Sequence, residues 1–339
     1  MVERRGRRRL VRILLAVCAV LVGVAGAGAS AGALLAHRFE NAVTRANLLA
    51  PAARADAPAP HAAVAGPLNF LLIGSDLRTD DPDEGQRSDT IIIAHVPRTM
   101  DHLDLVSIPR DLWVDIPADP TLRFGGAADK INAAFDDGGG GAGGTQLLSR
   151  TLTDLVGIRF DGAVVVAFSG LTHTVDLLGG VRMCVDTRIV SIHTHAVFEP
   201  GCRVMKGAQV LDYLRQRYGL SDGDFGRQQH QQEFLKALLA QARSSGTLAN
   251  PVRLDGLLQS VGRSLTVDTG SYALTDLIFA LRGLGPDDLT GIRLPFALDT
   301  VGDQSIVRAT DEADGLYRAL RTDDLQDWTE EHPQWVNKI

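Results

Sequence analysis

The chain has 339 residues, with 34 Lys and Arg against 41 Asp and Glu and a formal net charge of -7. That balance excludes a general nucleic-acid binder, which would carry a basic excess. A hydrophobic share of 45% is ordinary for a globular protein, and the length leaves room for one large domain or two small ones. The charge is uneven: Arg4, Arg5, Arg7, Arg8, Arg9 and Arg12 crowd a basic tail over residues 1–12.

Behind that tail, residues 13–36 carry no charged side chain. At about 1.5 Å per residue these 24 residues reach about 36 Å, enough to cross a hydrocarbon core of about 30 Å. The flanking arginines predict a cytoplasmic N-terminus and an extracytoplasmic remainder, a single-pass protein of the cell membrane. Ala27-Gly28-Ala29 and Ala31-Gly32-Ala33 resemble signal-peptidase sites, whereas the long apolar run favours a retained anchor. Residues 37–67, rich in Ala and with Pro51, Pro58, Pro60 and Pro67, read as a linker to a domain over 68–339.

Within that domain Leu68 to Ile73 reads as a strand ending in Gly74-Ser75-Asp76-Leu77-Arg78. Arg87-Ser88-Asp89-Thr90 leads into a second strand, Ile91 to Val96, and a third, Leu103 to Ile108, closes on Pro109-Arg110-Asp111. The first two runs are nearly continuous aliphatic residues, the mark of strands covered on both faces. Gly138 to Gly144 is not followed by Gly-Lys-Ser/Thr, so it is no P-loop and reads as a flexible connection.

A helix is expected over Thr145–Val156, a strand over Val164–Phe168, a helix over Ser169–Leu178 and a strand over Val181–Val185. Cys184 and Cys202 fall in the exported portion, where disulfides persist, and a bridge between them is expected. His193 and His195 between them read as solvent-exposed rather than zinc ligands. Further helices are expected over Leu254–Leu265, Ser271–Leu284 and Asp311–Leu320, with a strand at Ile292–Pro295. Alternating strands and helices without an internal repeat predict one α/β domain, a three-layer α-β-α sandwich around a mixed β-sheet.

Arginines gather in Leu211 to Gln232. Arg215 and Arg217 are two apart, so they diverge on a helix and share a face, with Leu211 and Tyr213, on a strand. The strand reading is the one adopted. After it a helix begins at Asp224, a good N-cap, with Leu235, Leu238, Leu239 and Ala242 as its apolar stripe. Arg227 then sits in the first turn, where a cation opposes the helix dipole unless an anion is bound. Three guanidinium groups so placed make a phosphate cage; the competing reading pairs them with Asp212, Asp222 and Asp224 on the surface.

Polar residues also collect where apolar strands begin or end: Asp76 and Arg78, Arg87 and Asp89, Arg110 and Asp111. Ligands of open α/β sheets bind in such crevices. Guanidinium forks match phosphate oxygens two at a time, and carboxylates among them suggest Mg²⁺ bridged to phosphate. Arginines plus Mg²⁺ suit a pyrophosphate, where catalysis is mostly positioning and charge stabilisation. With no Gly-x-Ser-x-Gly elbow, acyl chemistry has little support.

The phrases NFLLIGSDLR (Asn69 to Arg78), RSDTIII (Arg87 to Ile93), SIPRD (Ser107 to Asp111), KINAAF (Lys130 to Phe135), VDLLGGV (Val175 to Val181) and YLRQR…DGDFGRQQHQQ (Tyr213 to Gln232) resemble the LytR-CpsA-Psr family, from about residue 68 to 240. The resemblance implies a membrane-anchored enzyme that takes a glycopolymer from a polyprenyl-pyrophosphate carrier and attaches it, as a phosphodiester, to a peptidoglycan hydroxyl. It implies that Arg87, Arg110, Arg215, Arg217 and Arg227 bind the pyrophosphate, with Gln231 beside them and Arg78 and Lys130 as further substrate contacts. Asp76 and Asp89 would hold Mg²⁺ or Mn²⁺. A long apolar tunnel for the polyprenyl tail is also implied; Val164 to Phe168, Leu171, Leu177 and Leu178 would line it, though core packing explains them equally well.

Many members carry an arginine three residues after the one matching Arg227, where this chain has His230, a contact whose charge would depend on pH. Asp89 and Asp111 are candidates for the general base, but a metal ligand is a poor base and the role is left unassigned. The same residues would serve a hydrolase using water, or a non-catalytic protein that binds lipid-linked glycans.

Overall fold

A computed structural model describes residues 38, 41, 43–57, 63–75, 88–216, 224–247, 250–262 and 265–339. Eight strands form one sheet: β1 (Thr44–Arg45), β2 (Leu68–Ser75), β3 (Ser88–Val96), β4 (Leu103–Ser107), β5 (Gly162–Ala167), β6 (Leu265–Asp268), β7 (Leu289–Arg293) and β8 (Val336–Asn337). Their spatial order is β1-β6-β5-β2-β3-β4-β7-β8. The pairs β1/β6, β5/β2 and β4/β7 are parallel and the others antiparallel, so the expected mixed sheet is present. Seven longer helices are α1 (Gly141–Val156), α2 (Phe168–Leu177), α3 (Gly207–Leu214), α4 (Asp224–Ser244), α5 (Pro251–Val261), α6 (Leu274–Leu281) and α7 (Asp311–Thr322).

The aliphatic runs of β2 and β3 divide by parity, because successive strand side chains point to opposite faces. Leu71, Ile73, Ile91 and Ile93 join Val106, Val165 and Ile292 under Leu147, Leu148 and Leu152 of α1 and Leu316 and Leu320 of α7. Phe70, Leu72, Ile92 and Ala94 join Leu105 and Leu289 under Leu235 and Leu239 of α4. Both faces are covered, as the runs predicted, and each fully buried aliphatic side chain contributes about 1.5–3 kcal/mol.

Several expectations need correcting. The stretch expected as linker is in part structural: β1 pairs with β6, and Leu48, Leu49, Ala50 and Ala53 are buried in the main core. Asp268 fixes it, accepting from the Leu48 amide at 2.9 Å and from Arg54 at 2.9 and 2.6 Å. Nor is the glycine-rich stretch a flexible connection, since α1 starts at Gly141, not Thr145. A Cβ at Gly144 would lie 2.2 Å from the Phe135 carbonyl oxygen, so only glycine lets that turn approach. The helix expected to end at Leu265 stops at Val261, and Leu265 opens β6. The hairpin Phe296–Val301 with Gln304–Ala309 was not foreseen, because its residues are largely exposed and show no apolar alternation.

The expected bridge Cys184–Cys202 is present, joining directly opposed residues of the antiparallel strands Val181–Val185 and Gly201–Met205, with Cα atoms 3.9 Å apart. His193 and His195 are exposed. The expected membrane segment, residues 13–36, and the basic tail lie outside the described residues. Among the described residues no helix is long and apolar enough to cross a membrane.

Candidate functional site

On the α4 face the sheet is not fully covered by side chains. Leu72 and Gly74 of β2, Thr90 and Ile92 of β3, and Val164 and Val166 of β5 form the floor of a cavity of about 530 Å³. These are alternate positions, as one face of a sheet requires, and Ile73 between the first two also borders the cavity. Leu171 of α2, Leu211 and Leu214 of α3, and Phe234, Leu235 and Leu238 of α4 wall it in. The volume is that of a small-molecule site.

The lining changes character along α4. Arg227, Gln231, Leu235 and Leu238 all face the cavity, and their spacing of four, four and three keeps them on one side of the helix over about 16 Å. The polar residues belong to the N-terminal turns and the apolar ones follow. Arg227 is only 3% exposed. A guanidinium held there, beside the positive end of a 21-residue helix, favours an anion in front of it.

Arg215 also lines the cavity, but not from a strand. Residues Gly207–Leu214 form α3, with Val210, Tyr213 and Leu214 buried at helical spacing, and Arg215 is its C-cap. The strand reading fails because this apolar stripe seats a helix against the neighbouring core. The arginine then stands at the negative end of α3, while Arg227 stands at the start of α4. Arg217, Asp222, Asp76, Arg78 and Arg87 lie outside the described residues.

Asp89 is placed by its backbone in β3, and its side chain lies outside the described residues. Gly74 pairs with Thr90 but Ser75 with Ser88, so Asp89 is the additional residue of a β-bulge. Arg110, Asp111 and Lys130 form a separate cluster. Asp111 lies 3.4 Å from Arg110 Nε and 3.1 Å from Lys130 Nζ. The three are not cavity-lining residues. Arg110 follows Ser107, which accepts from Gln232 of α4 at 2.8 Å, so this cluster and the first turns of α4 share one end of the sheet. Among the described residues no group of three or more His, Cys, Asp or Glu is placed to hold a metal ion.

His230 is not a pH-dependent ligand contact. It is 7% exposed, its ring stacks on Tyr213 at 4.3 Å, and Nε2 lies 2.9 Å from the Tyr213 hydroxyl. Burial pushes its pKa down to about 4, so the imidazole is neutral at neutral pH. The Tyr213 hydroxyl also lies 3.2 Å from the Cys184 carbonyl oxygen. The pair therefore ties α3, α4 and the disulfide hairpin together beside both arginines. Glu233, one turn on, has its pKa pushed up to about 7, chiefly by burial.

Gln232 was missed by the sequence reading, hidden in a run of glutamines. Fully buried, its Nε2 reaches Leu105 O, Ser107 Oγ and Ile292 O at 2.8, 2.8 and 3.0 Å, and its Oε1 accepts from Asn337 at 2.6 Å. It pins α4 across β4, β7 and β8, leaving Gln231 turned to the cavity. The residues expected to line a tunnel divide: Val164, Val166 and Leu171 do line the cavity, whereas Val165 and Leu178 are core and Leu177 is 49% exposed.

The fold and cavity define a mixed α/β protein in which an apolar pocket is headed by cationic side chains at helix ends. The model of the LytR_cpsA_psr family matches residues 36–321, and the chain belongs to this family. It is 36% identical over 245 residues to the probable cell wall biosynthesis protein LcpB of Corynebacterium glutamicum, covering 68% of this chain and 56% of that protein. It is 31% identical over 184 residues to the polyisoprenyl-teichoic acid–peptidoglycan teichoic acid transferase TagU of Enterococcus faecalis, covering 54% of this chain and 56% of that one. The chain thus spans about half the length of the curated relatives it matches. In fold it resembles the solved structure of TagT bound to LI-WTA, with a TM-score of 0.60 at 22% identity over 80% of this chain and 97% of that one.

Proposed function

We propose that this protein is a phosphotransferase that moves a glycopolymer from a polyprenyl-pyrophosphate carrier to a peptidoglycan hydroxyl during cell-wall assembly. The observation that carries this reading is the cavity of about 530 Å³, apolar over most of its walls and headed by Arg215, Arg227 and Gln231. A polyprenyl pyrophosphate has the same polarity, a hydrocarbon tail behind an anionic head. Each methylene of the tail buried there contributes about 0.8 kcal/mol, and guanidinium forks hold the head two oxygens at a time. The name of the TagU relative, a polyisoprenyl-teichoic acid–peptidoglycan teichoic acid transferase, supports the same substrate class.

In this reaction the acceptor hydroxyl oxygen attacks the phosphorus next to the glycan, its P–O bond to the lipid phosphate breaks, and the polyprenyl phosphate leaves. Arg215 and Arg227 stabilise the charge that gathers on the phosphoryl oxygens. Arg78, Arg87 and Arg217 are the further cations of this reading, with Arg110 and Lys130 reaching the head group from the neighbouring cluster around Asp111. Asp111 is engaged by Arg110 and Lys130, and the hydroxyl proton is balanced by the oxygen freed on the leaving polyprenyl phosphate.

Asp76 and Asp89 are the residues that would hold Mg²⁺ or Mn²⁺, which when bound neutralises pyrophosphate charge. Hard carboxylate oxygens suit such a cation, and the β-bulge at Asp89 beside the cavity-lining Thr90 supports this reading. In the same reading residues 13–36 anchor the chain in the cell membrane with residues 1–12 in the cytoplasm, and the domain works outside as a three-layer α-β-α sandwich.

The test incubates the full 339-residue chain with a short lipid-linked pyrophosphate glycan and Mg²⁺, with and without peptidoglycan fragments, and reads products by mass spectrometry. A phosphodiester conjugate that requires acceptor is the expected product. Lipid monophosphate forming equally well without acceptor would make the protein a hydrolase, and intact bound lipid would make it a receptor.

A further inference from the structure

Val252, Leu298 and Phe279 are the most exposed large apolar side chains among the described residues, at 74, 71 and 65%. Leu298 belongs to the arginine end of the sheet: it pairs with Val307, whose amide donates to the Asp111 carbonyl oxygen at 2.9 Å. Val252 and Phe279 belong to the other end of α4. Arg253, next to Val252 in α5, donates to the Ser245 carbonyl oxygen at 2.8 Å. Arg243 of α4 donates to the carbonyl oxygen of Gly283, just past α6, at 3.1 Å. Both helices are thus fastened to the last turn of α4, where Arg243 lies about 24 Å along the axis from Arg227.

The N-terminal part of the chain arrives at the same place. Arg38 pairs with Asp255 of α5 at 2.9 Å, and Gln259 donates to the Arg38 carbonyl oxygen at 3.3 Å. At spacings of three and four, Val252, Asp255 and Gln259 share one face of α5, so Arg38 runs beside the face that exposes Val252. Only His37 separates Arg38 from the uncharged run 13–36, which leaves no more than about 8 Å of chain between them. The stretch expected as a spacer is packed into the core at Leu48, Leu49, Ala50 and Ala53, so it does not lift the domain clear of a bilayer that residues 13–36 span. On α6 the Arg282 guanidinium lies 3.6 Å from the centroid of the exposed Phe279 ring. A ring that reaches acyl chains, with a cation at the level of the lipid phosphates, suits the bilayer interface.

We propose that Val252 of α5, with Phe279 and Arg282 of α6, forms a surface that docks on the lipid bilayer. The proposal rests on the retained anchor of the proposed function and gives the anchored domain an orientation. The apolar end of the cavity, at Leu235 and Leu238 of α4, is then directed toward the bilayer, and Arg215 and Arg227 stand away from it. A polyprenyl tail passes from the bilayer into the cavity along that side, with its head group carried to the far end.

The experiment uses the full chain in phosphatidylcholine–phosphatidylglycerol vesicles, with Cys18→Ser and one fluorophore at a time on Val252→Cys, Phe279→Cys or Leu298→Cys. All three positions are exposed, so a label disturbs no packing, and spin-labelled lipid serves as the quencher. Labels at 252 and 279 are expected to lose about half of their emission or more, as groups seated at the headgroup boundary do. The label at 298, equally exposed but at the arginine end, is expected to keep its emission. Val252→Asp combined with Phe279→Asp is expected to slow uptake of polyprenyl pyrophosphate from vesicles about tenfold, with its affinity in detergent unchanged; an unchanged uptake rate would overturn that path. If the chain floats with the vesicles and no label is quenched, the docking surface is wrong and the anchor stands without it. Quenching at 298 alone would invert the orientation and overturn the proposal. If the chain does not float with the vesicles, the anchor and the docking surface fall together.

Discussion

The two faces of the sheet are made from the same strands and do different work. On one, Leu71, Ile73, Ile91 and Ile93 meet α1 and α7 in a closed core of buried aliphatic and aromatic side chains. On the other, Leu72 and Ile92 face a cavity of about 530 Å³ whose far wall is α2, α3 and α4. Neighbouring residues of one apolar run thus pack into a closed core at odd positions and face a cavity chiefly at even ones. Hydrophobic side chains on the closed face are expected to matter to folding, and those on the open face to what is bound.

The sharpest contrast comes from the charged end of the open face. Arg227→Ala is expected to lower transfer kcat/KM by about 10²–10³-fold, about 3–4 kcal/mol of charge stabilisation, measured in the product assay. Leu152→Ala, on the closed face, is expected to cost about 2–5 kcal/mol of unfolding free energy in denaturant titration, while the folded fraction keeps its lipid affinity. Gly291→Ala tests the staple between the faces. Its Cβ would lie 2.3 Å from Gln232 Oε1, and the strain is expected to cost about 1–3 kcal/mol with α4 displaced. Val166→Phe, on the cavity floor, is expected to weaken long-chain polyprenyl pyrophosphate about tenfold, about 1.4 kcal/mol, and to leave inorganic pyrophosphate binding unchanged in calorimetry.

The smallest expected effect is a slope. The His230 pKa is depressed in the folded protein, so above about pH 6.5 the imidazole is neutral in both states. As pH falls below that, the unfolded chain takes up a proton that the folded one refuses until about pH 4, and stability declines across that window. His95, also lowered by burial, adds to the decline. Glu233, raised from 4.5 to about 7, opposes it, because there the folded state is the one that binds the proton. The difference between wild type and His230→Gln isolates the slope: the variant is expected to melt with a flatter pH dependence from about pH 6.5 to 4.

Much of the architecture was legible because the signals are local. The continuous aliphatic runs of β2 and β3 and the stripe of α4 carry their own periodicity, and Arg227 at the start of α4 followed from the N-cap at Asp224. What was misread needed tertiary information. Arg215 and Arg217 two apart share a face on a strand, but Val210, Tyr213 and Leu214 hold a helix that Arg215 caps. Leu48 and Leu49 are too short an apolar signal to stand out among Ala and Pro, and only β6 and Asp268 give them a place. His230 follows Arg227 at helical spacing, yet its partner is Tyr213, a contact set by how two helices cross. The division of Val164, Val165 and Val166 between cavity and core became visible only once the layers above each face were in place.

The central claim is that the open face seats the hydrocarbon tail with its head at Arg215 and Arg227. A polyprenyl pyrophosphate carrying a photoreactive group on its tail, crosslinked to the full chain and mapped by peptide mass spectrometry, tests it directly. Labels on Val166, Leu171 and Leu238, lost on competition with unlabelled lipid, are the predicted result. Labels confined to the exposed hairpins, or unchanged in Arg227→Ala, would contradict it.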